Sequence, residues 1–240
     1  MRLIDVLKAN AEASYADFSA SLTPGVERAH FLGVRIPLLR KISRQFQREN
    51  DTTAFMHALP HRYIEEDLIH AFLINTVMDM STLQCELDRF LPYVDNWLVC
   101  DALRPKLFQS RKMEALEAAA KWMRKTDTYT VRFGIEVYMV YGLGEAYQKS
   151  DLHAVADLES DQYYVQMMQA WYLATALSMH EEDVLEVLPG LYPIVRKMTI
   201  QKAIDSRRIS DALKRRLKAI RKNEAKLSTK TGNRRPKVRK

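Results

Sequence analysis

The stretch RKMEALEAAAKWMRKTDTYTVRFGIEVYMVYG, residues 111–142, decides the fold class. Its first half is rich in Ala, Leu, Glu and Lys, which are among the strongest helix formers. Its second half repeats apolar residues at helical spacing until Gly142. Two residues separate the halves, so the stretch predicts two consecutive helices, at 111–125 and 128–141, joined by a short loop.

Helical periodicity continues on both sides of this stretch through most of the 240 residues. Pro37 is expected in the first turn of a helix that reaches residue 49. Asp51 is expected to cap a short helix, and Ser81 with Gln84 forms a predicted capping box. About twelve helices, paired with a period of roughly 35–45 residues, predict an all-α fold. We expect an α-solenoid of HEAT-like or armadillo-like antiparallel helix pairs, with an irregular helical bundle as the alternative.

The charge of the chain is divided unevenly along its length. Residues 211–240 hold 13 of the 37 Lys and Arg residues but only two of the 30 Asp and Glu residues. The first 210 residues therefore carry 24 basic and 28 acidic groups, a net charge of −4, although the whole chain carries +7. We expect one helical-repeat domain over residues 1–226 and a disordered basic tail over residues 227–240. The tail is either a solvated end or a non-specific phosphate-binding arm.

The sequence does not fit several classes of protein. Cys85 and Cys100 are too few to cross-link a chain of this size, so both are expected to be free, buried thiols in a reducing compartment. No CxxC or HExxH spacing is present, and no metal or other cofactor is expected. The first residues do not resemble a secretory signal, and no apolar run is long enough to span a bilayer. We expect a cytoplasmic protein with no membrane partner.

The segment VDNWLVCDALRPK, residues 94–106, carries the first candidate functional residues. Trp97 and Asp101 are four residues apart, so they share one face of the short helix predicted over residues 94–104. Such a face can place an aromatic ring and a carboxylate on one ligand. Spacing alone also allows Trp97 to be a core aromatic residue, and Asp101 to satisfy a helix end or Arg104.

Arg132 and the tryptophans raise similar alternatives. Arg132 is flanked by apolar residues and must reach an anion or the surface. It is either a phosphate clamp or the partner of Asp101 or Glu136 in an ion pair. Trp171 continues an apolar stripe, which is more typical of a helical core than of a ligand site. Trp122 has no charged neighbours that suggest chemistry and is interpreted as packing.

Basic residues cluster in GVRIPLLRKISRQ, residues 33–45. Arg35 precedes the predicted helix, and Arg40, Lys41 and Arg44 lie on it. Arg40 and Arg44 are helical neighbours of like charge, which indicates that they face solvent or a phosphate backbone.

Together these segments resemble the AlkD-like family of DNA alkylation repair glycosylases over about residues 1–220. The resemblance is carried by F-L-G-V-R-I-P-x-L-R-K at 31–41, N-W-x-x-x-D at 96–101, R-F-G-I at 132–135, Q-A-W at 169–171 and Q-K-A-I at 201–204. Each motif alone is weak, whereas their order and spacing through an all-helical chain are specific.

The resemblance implies a HEAT-like solenoid that grips duplex DNA and excises cationic 3-methyladenine and 7-methylguanine. It implies that the lesion is not flipped into a deep pocket, unlike the general scheme for enzymes that act on bases. By motif, Asp101 would be the catalytic carboxylate, Trp97 and Trp171 would flank the lesion, and Arg132 would hold the DNA backbone. No metal or cofactor is implied.

Because the chain before the tail is slightly acidic, DNA binding requires its cations to be concentrated in a stripe. The residues expected in this stripe, besides Arg132, are Arg35, Arg40, Lys41, Arg44, Lys106, Lys202, Arg207 and Arg208. The expected partner is duplex DNA that contains alkylated purines, bound by a monomer associated with the nucleoid. A non-catalytic DNA-binding protein and a protein-interaction scaffold remain alternatives.

Overall fold

A computed structural model describes residues 2–232, with side chains described as far as residue 223. Over these residues the secondary structure is entirely helical, with fourteen α-helices and no strand. The predicted all-α class is confirmed, and neighbouring helices pack against each other within each part of the chain, as a helical-repeat fold requires. No helix among the described residues is both long and apolar enough to cross a bilayer.

The chain forms two compact units, of which the first ends at Ala146. Nine α-helices belong to this unit: α1 Leu3–Ala9, α2 Ala13–Leu22, α3 Ile36–Glu49, α4 Thr53–His57, α5 Ile64–Ile74, α6 Met80–Phe90, α7 Trp97–Cys100, α8 Lys112–Trp122 and α9 Thr128–Val137. Short 3-10 helices lie at Arg28–His30, Leu91–Tyr93 and Lys106–Gln109, and a π-helical turn at Tyr138–Gly142 follows α9.

The second unit begins at Tyr147. Its helices are α10 Lys149–Ala156, α11 Tyr163–Ala176, α12 Glu181–Val187, α13 Pro193–Asp205 and α14 Asp211–Gly232, with a 3-10 helix at Leu188–Gly190. Helix α13 packs against both α11 and α14. The domain boundary expected at residue 226 falls within α14, and residues 233–240 of the expected tail lie outside the described residues.

Helices α8 and α9, which come from the stretch quoted first, pack closely together. Gly134 makes this approach possible, because a Cβ atom there would lie 2.9 Å from the carbonyl oxygen of Ala119 and 2.8 Å from the Met123 side chain. Trp122 ends α8 in the core, 2% exposed, and its indole N–H donates to Asp88. The interpretation of Trp122 as a packing residue is confirmed.

The segment before α3 is held by a buried carboxylate. Glu65 on α5 accepts hydrogen bonds from the backbone N–H groups of Leu32, Gly33 and Val34. Gly33 has a φ of +89°, and a Cβ atom there would lie 2.1 Å from the carbonyl oxygen of Glu12. Only glycine fits this position. The F-L-G-V-R motif therefore fixes where α3, with Pro37 in its first turn, begins.

Two local predictions were wrong. Asp79, not Ser81, caps α6, because its carboxylate accepts hydrogen bonds from the Thr82 backbone and from both nearby hydroxyl groups. Cys85 lies on the exposed face of α6, whereas Cys100 is buried as predicted. A carboxylate at the N-cap competes well with a hydroxyl for the same donors, and it also carries charge that suits the helix N-terminus.

Candidate active site

The segment that carries Trp97 and Asp101 is a single helical turn, shorter than predicted. Asn96 caps α7, since its side-chain oxygen accepts the Val99 N–H at 2.9 Å. The Asp101 N–H donates to the Trp97 carbonyl oxygen at 2.9 Å and closes the turn. Asp101 is the C-cap residue, after which the chain leaves the helical path. The two residues lie one turn apart, as their spacing predicts.

Asp101 and Arg132 form a bidentate ion pair. The Nε and Nη2 atoms of Arg132 donate to the two carboxylate oxygens of Asp101, both at 2.9 Å. The Arg132 side chain is 4% exposed, whereas 19% of the Asp101 side chain remains accessible. Burial on its own lowers the pKa of Arg132, but the hydrogen bonds to Asp101 and the nearby negative charges together raise it above its usual value. Of the alternatives for Arg132, the structure brings it to Asp101.

A second ion pair lies beside the first. Glu136, one turn after Arg132 on α9, is 1% exposed and accepts a hydrogen bond from Arg104. Its other oxygen, Oε2, is buried and has no hydrogen-bond partner within the part of the chain that the structure describes. Burial raises the pKa of Glu136 to about 7, against the lowering effect of Arg104. Acidic and basic groups thus alternate around Asp101.

Asn75 holds the segment after Asp101 in place. Its side-chain oxygen accepts the Arg104 N–H at 2.6 Å, and its amide group donates to the Ala102 carbonyl oxygen at 2.8 Å. Its backbone carbonyl oxygen accepts the Lys106 N–H at 3.1 Å. Asn75, the residue that follows α5, therefore fixes the backbone that carries both Arg104 and Lys106.

Trp97 is half-buried, not a fully buried core residue. Its indole N–H donates to the carbonyl oxygen of Leu22 at 3.0 Å, which ties the ring to the end of α2. The ring also lines an apolar cavity of about 90 Å³ together with Tyr15 and Phe18. Phe18 is 57% exposed, so the mouth of this cavity is apolar.

The cluster also contains atoms that coordinate metals in other proteins. One donor atom each of Cys100, Asp101 and Glu136 lie within 4.8 Å of one another. Two guanidinium groups already pair with the two carboxylates, and burial raises the pKa of the Cys100 thiol, which opposes the thiolate that a metal needs. This donor set does not fit a metal ion.

Three of the predicted DNA-binding residues line one groove of the first unit. Arg40, Arg44 and Lys106 surround a cavity of about 240 Å³ that also contacts Thr76. The Arg40 guanidinium lies over the Phe72 ring, 4.4 Å from its centre. This contact holds a cation at the surface without neutralising it.

Two other predicted residues of this region differ from these three. Arg35 is exposed but forms a bidentate ion pair with Glu12, in which its Nε and Nη2 atoms each lie 2.9 Å from a carboxylate oxygen. Its guanidinium group also lies over the Tyr15 ring. Its charge is therefore largely compensated. Lys41 is exposed on α3 and does not line the groove of Arg40.

The remaining predicted residues belong to the second unit. Trp171 on α11 is 40% exposed, and the Lys202 Nζ atom on α13 lies 5.8 Å from the centre of its ring. The interpretation of Trp171 as a core residue is thereby wrong. Arg207 and Arg208 are exposed in the loop after α13. Gln169, two residues before Trp171, is buried and donates to the carbonyl oxygens of Val155, in the last turn of α10, and of Leu158, just after it, which anchors α11.

Sequence reasoning did not find Asn75 or Glu65, and it named Arg104 and Glu136 only as partners of Asp101 and Arg132, not of each other. Asn75 and Glu65 act on segments about 30 residues away, at separations where no sequence signal connects them. The pair of Arg104 with Glu136 did have a local signal. Glu136 lies four positions after Arg132 on the same face of α9, and Arg104 lies three positions after Asp101 along the chain.

Comparison with known proteins identifies the family of the chain. A search of curated proteins found no match. The family model described as DNA alkylation repair enzyme matches residues 3–205, which include all of the site residues up to Lys202. The match covers most of the chain and extends from the first unit into the second as far as residue 205. The protein belongs to the DNA alkylation repair enzyme family.

Proposed function

We propose that the protein is a monofunctional DNA glycosylase that hydrolyses the N-glycosyl bond of cationic N3- and N7-alkylated purines in duplex DNA. In this proposal it starts base excision repair as a monomer on nucleoid DNA in the cytoplasm, and it does not flip the lesion into a deep pocket. Family membership supports a role in DNA alkylation repair, and the site chemistry supports the finer reaction.

The observation that carries the proposal is the fixed and partly accessible carboxylate of Asp101. Breaking the bond to an alkylated purine builds positive charge on the sugar, as in glycoside hydrolysis. A carboxylate held in place beforehand stabilises that charge without having to reorganise. Arg132 and the backbone hydrogen bond to Trp97 fix the Asp101 side chain and its backbone. Asp101 would stabilise the sugar cation and orient the attacking water.

The aromatic residues suit a cationic base. Trp97 is half-buried and Trp171 is 40% exposed, so both offer indole surface to a ligand. Each cation–π contact is worth about 0.5–2 kcal/mol and favours a charged purine over a neutral one. An alkylated purine is already a good leaving group, so no acid has to protonate it. This agrees with a site that has one accessible carboxylate.

In this proposal the basic groove contacts the DNA backbone. Arg40, Arg44 and Lys106 line it, and none of the acidic side chains that the structure describes does. Phosphate contacts of this kind set the position of the protein on the duplex without reading its sequence. In this proposal Arg132 acts by holding Asp101, since its guanidinium is 4% exposed and engaged with that carboxylate.

One observation favours a second candidate, a non-catalytic DNA-binding protein of the same family. The bidentate ion pair with Arg132 partly neutralises Asp101, and this weakens the attraction of the Asp101 carboxylate for a sugar cation. A protein that only binds distorted DNA would retain this pair for stability. It would bind duplex DNA with a salt-dependent affinity and release no base.

Base release from duplex DNA that contains 7-methylguanine distinguishes the two candidates. We expect Asp101→Asn to lower the rate of release by about a hundredfold or more, the usual effect of losing an electrostatic stabiliser of a transition state. The matched control is Asp157→Asn at an exposed aspartate of the second unit, which should leave the rate unchanged. Release by neither the native protein nor the variants, at protein concentrations that saturate the DNA, would establish the non-catalytic reading.

A further inference from the structure

The pair of Arg104 with Glu136 has no role in the reaction described above, yet it lies against the proposed catalytic carboxylate. One donor atom each of Glu136 and Asp101 lie within 4.8 Å of each other, in a region from which most water is excluded. Like charges at this distance repel strongly in a medium of low dielectric constant. The charge of Glu136 therefore acts directly on Asp101.

The two ion pairs share their backbone supports. Helix α9 carries Arg132 and Glu136 one turn apart, and the segment from Asp101 to Arg104 carries the opposite charges. Each carboxylate therefore has both guanidinium groups as electrostatic neighbours. When Glu136 is neutral, Asp101 has the larger share of the positive charge. When Glu136 is ionised, the two guanidinium groups also interact with its carboxylate, and the cluster has one more negative charge.

We propose that Glu136, with Arg104, is a positioning residue that controls how strongly Asp101 acts on the sugar cation, according to whether Glu136 carries a proton. The proposal rests on the function inferred above. Ionised Glu136 competes with Asp101 for the guanidinium groups and leaves the accessible carboxylate more negative. Protonated Glu136 leaves Asp101 compensated by Arg132 and therefore less effective.

The surroundings of Glu136 make this proton equilibrium relevant near neutral pH. The titratable and charged groups that face it, from its own helix and from the elements packed against it, are Cys100, Asp101, Arg104, Arg132 and Tyr141. Burial raises the pKa of Glu136 to about 7, and among the described residues the buried oxygen Oε2 has no hydrogen-bond partner that would favour the anion. The unpartnered oxygen is consistent with a carboxyl group that keeps its proton at lower pH.

The test is the pH profile of 7-methylguanine release, with each rate corrected for spontaneous release at the same pH. In the native protein we expect the rate to rise about tenfold between pH 6 and pH 8, which is the effect of a modest electrostatic gain in the transition state. Glu136→Gln cannot ionise and should remove this rise. Arg104→Lys should move the rise to higher pH. A lysine ammonium stabilises the Glu136 carboxylate less well than the planar guanidinium group does, so the pKa of Glu136 should increase.

The matched control is Glu117→Gln, the same substitution at an exposed residue of α8, which should keep the native profile. A rise that persists in Glu136→Gln would overturn the proposal, as would a native rate that does not change between pH 6 and pH 8. Circular dichroism of each variant at both pH values verifies that it remains folded.

A second measurement separates this inference from the proposed function. Carbon-13 NMR follows the side-chain carboxyl signals of Glu136 and Asp101 as the pH is changed, in the native protein without any DNA. We expect the Asp101 signal to respond at the pH where Glu136 ionises, and an unresponsive Asp101 signal would refute the coupling. If the coupling is found but no base is released, the proposed reaction fails and Glu136 has no reaction to control.

Discussion

The Asp101 cluster of the first unit and the Trp171–Lys202 face of the second unit present charge in opposite ways. In the first, the Arg132 side chain is 4% exposed, and both ion pairs have partners fixed by the backbone. In the second, an indole ring 40% exposed is accompanied by one lysine 5.8 Å away. Enclosed charge is sensitive to the loss of one partner, whereas exposed charge is screened and adaptable. The first arrangement suits a reaction step and the second suits contact with a ligand.

The largest difference between the two regions should appear in stability. Arg132→Gln leaves Asp101 without its main partner in a mostly buried cluster, so we expect the free energy of unfolding to fall by about 3 kcal/mol. Lys202→Gln, at the partly exposed cation of the other region, should change it by no more than about 1 kcal/mol. Urea denaturation at pH 7 measures both. Equal losses in the two variants would show that the contrast in burial has no energetic consequence.

The next effect concerns pH. The pKa of Glu136 is about 7 in the folded protein and near 4.5 in an unfolded chain, so the folded state holds the proton more tightly. The free energy of unfolding should therefore fall as pH rises from about 4.5 to 7, by up to about 3 kcal/mol from this group. Glu136→Gln should lose this part of the slope.

Denaturation at a series of pH values provides the measurement, and Glu117→Gln should retain the native slope. No comparable slope is expected from the Trp171–Lys202 face, so Lys202→Gln should also follow the native curve. A native-like slope in Glu136→Gln would assign the pH dependence to other groups.

The smallest effect belongs to the exposed indole. Trp171→Ala should lower the affinity for duplex DNA that contains 7-methylguanine by about fivefold, the loss of one cation–π contact. The matched control is Tyr163→Ala, an exposed aromatic residue of the same helix, which should change the affinity less than twofold. Fluorescence anisotropy with damaged and undamaged duplexes measures the difference. An equal loss for both duplexes would make Trp171 a general DNA contact.

Much of this architecture could be predicted from local sequence. The helices of residues 111–142 follow from composition and periodicity, and Pro37 marks the start of α3. Trp97 and Asp101 lie one turn apart as their spacing requires. These features depend on neighbours along the chain, and the sequence contains those neighbours.

What could not be predicted depends on contacts between distant segments or on competition between similar groups. Spacing alone allowed Arg132 to pair with either Asp101 or Glu136, and the packing of α9 places it against Asp101. Ser81 fits a capping box, but Asp79 offers a charged acceptor to the same donors. The hydrogen bond from the Gly33 N–H to the Glu65 carboxylate joins residues 32 positions apart, and a single sequence does not show that such distant residues are paired.

Asn75 gives the first unit a mechanical connection that neither ion pair provides. It fixes the backbone at Arg104 through its side chain and the backbone at Lys106 through its carbonyl oxygen. A force on the backbone at Lys106 would therefore be resisted by Asn75 before it reached Arg104, two residues earlier than Lys106, or Asp101, five residues earlier. The backbone of the groove residue Lys106 and the backbone that follows Asp101 thus share one anchor, the residue that follows α5.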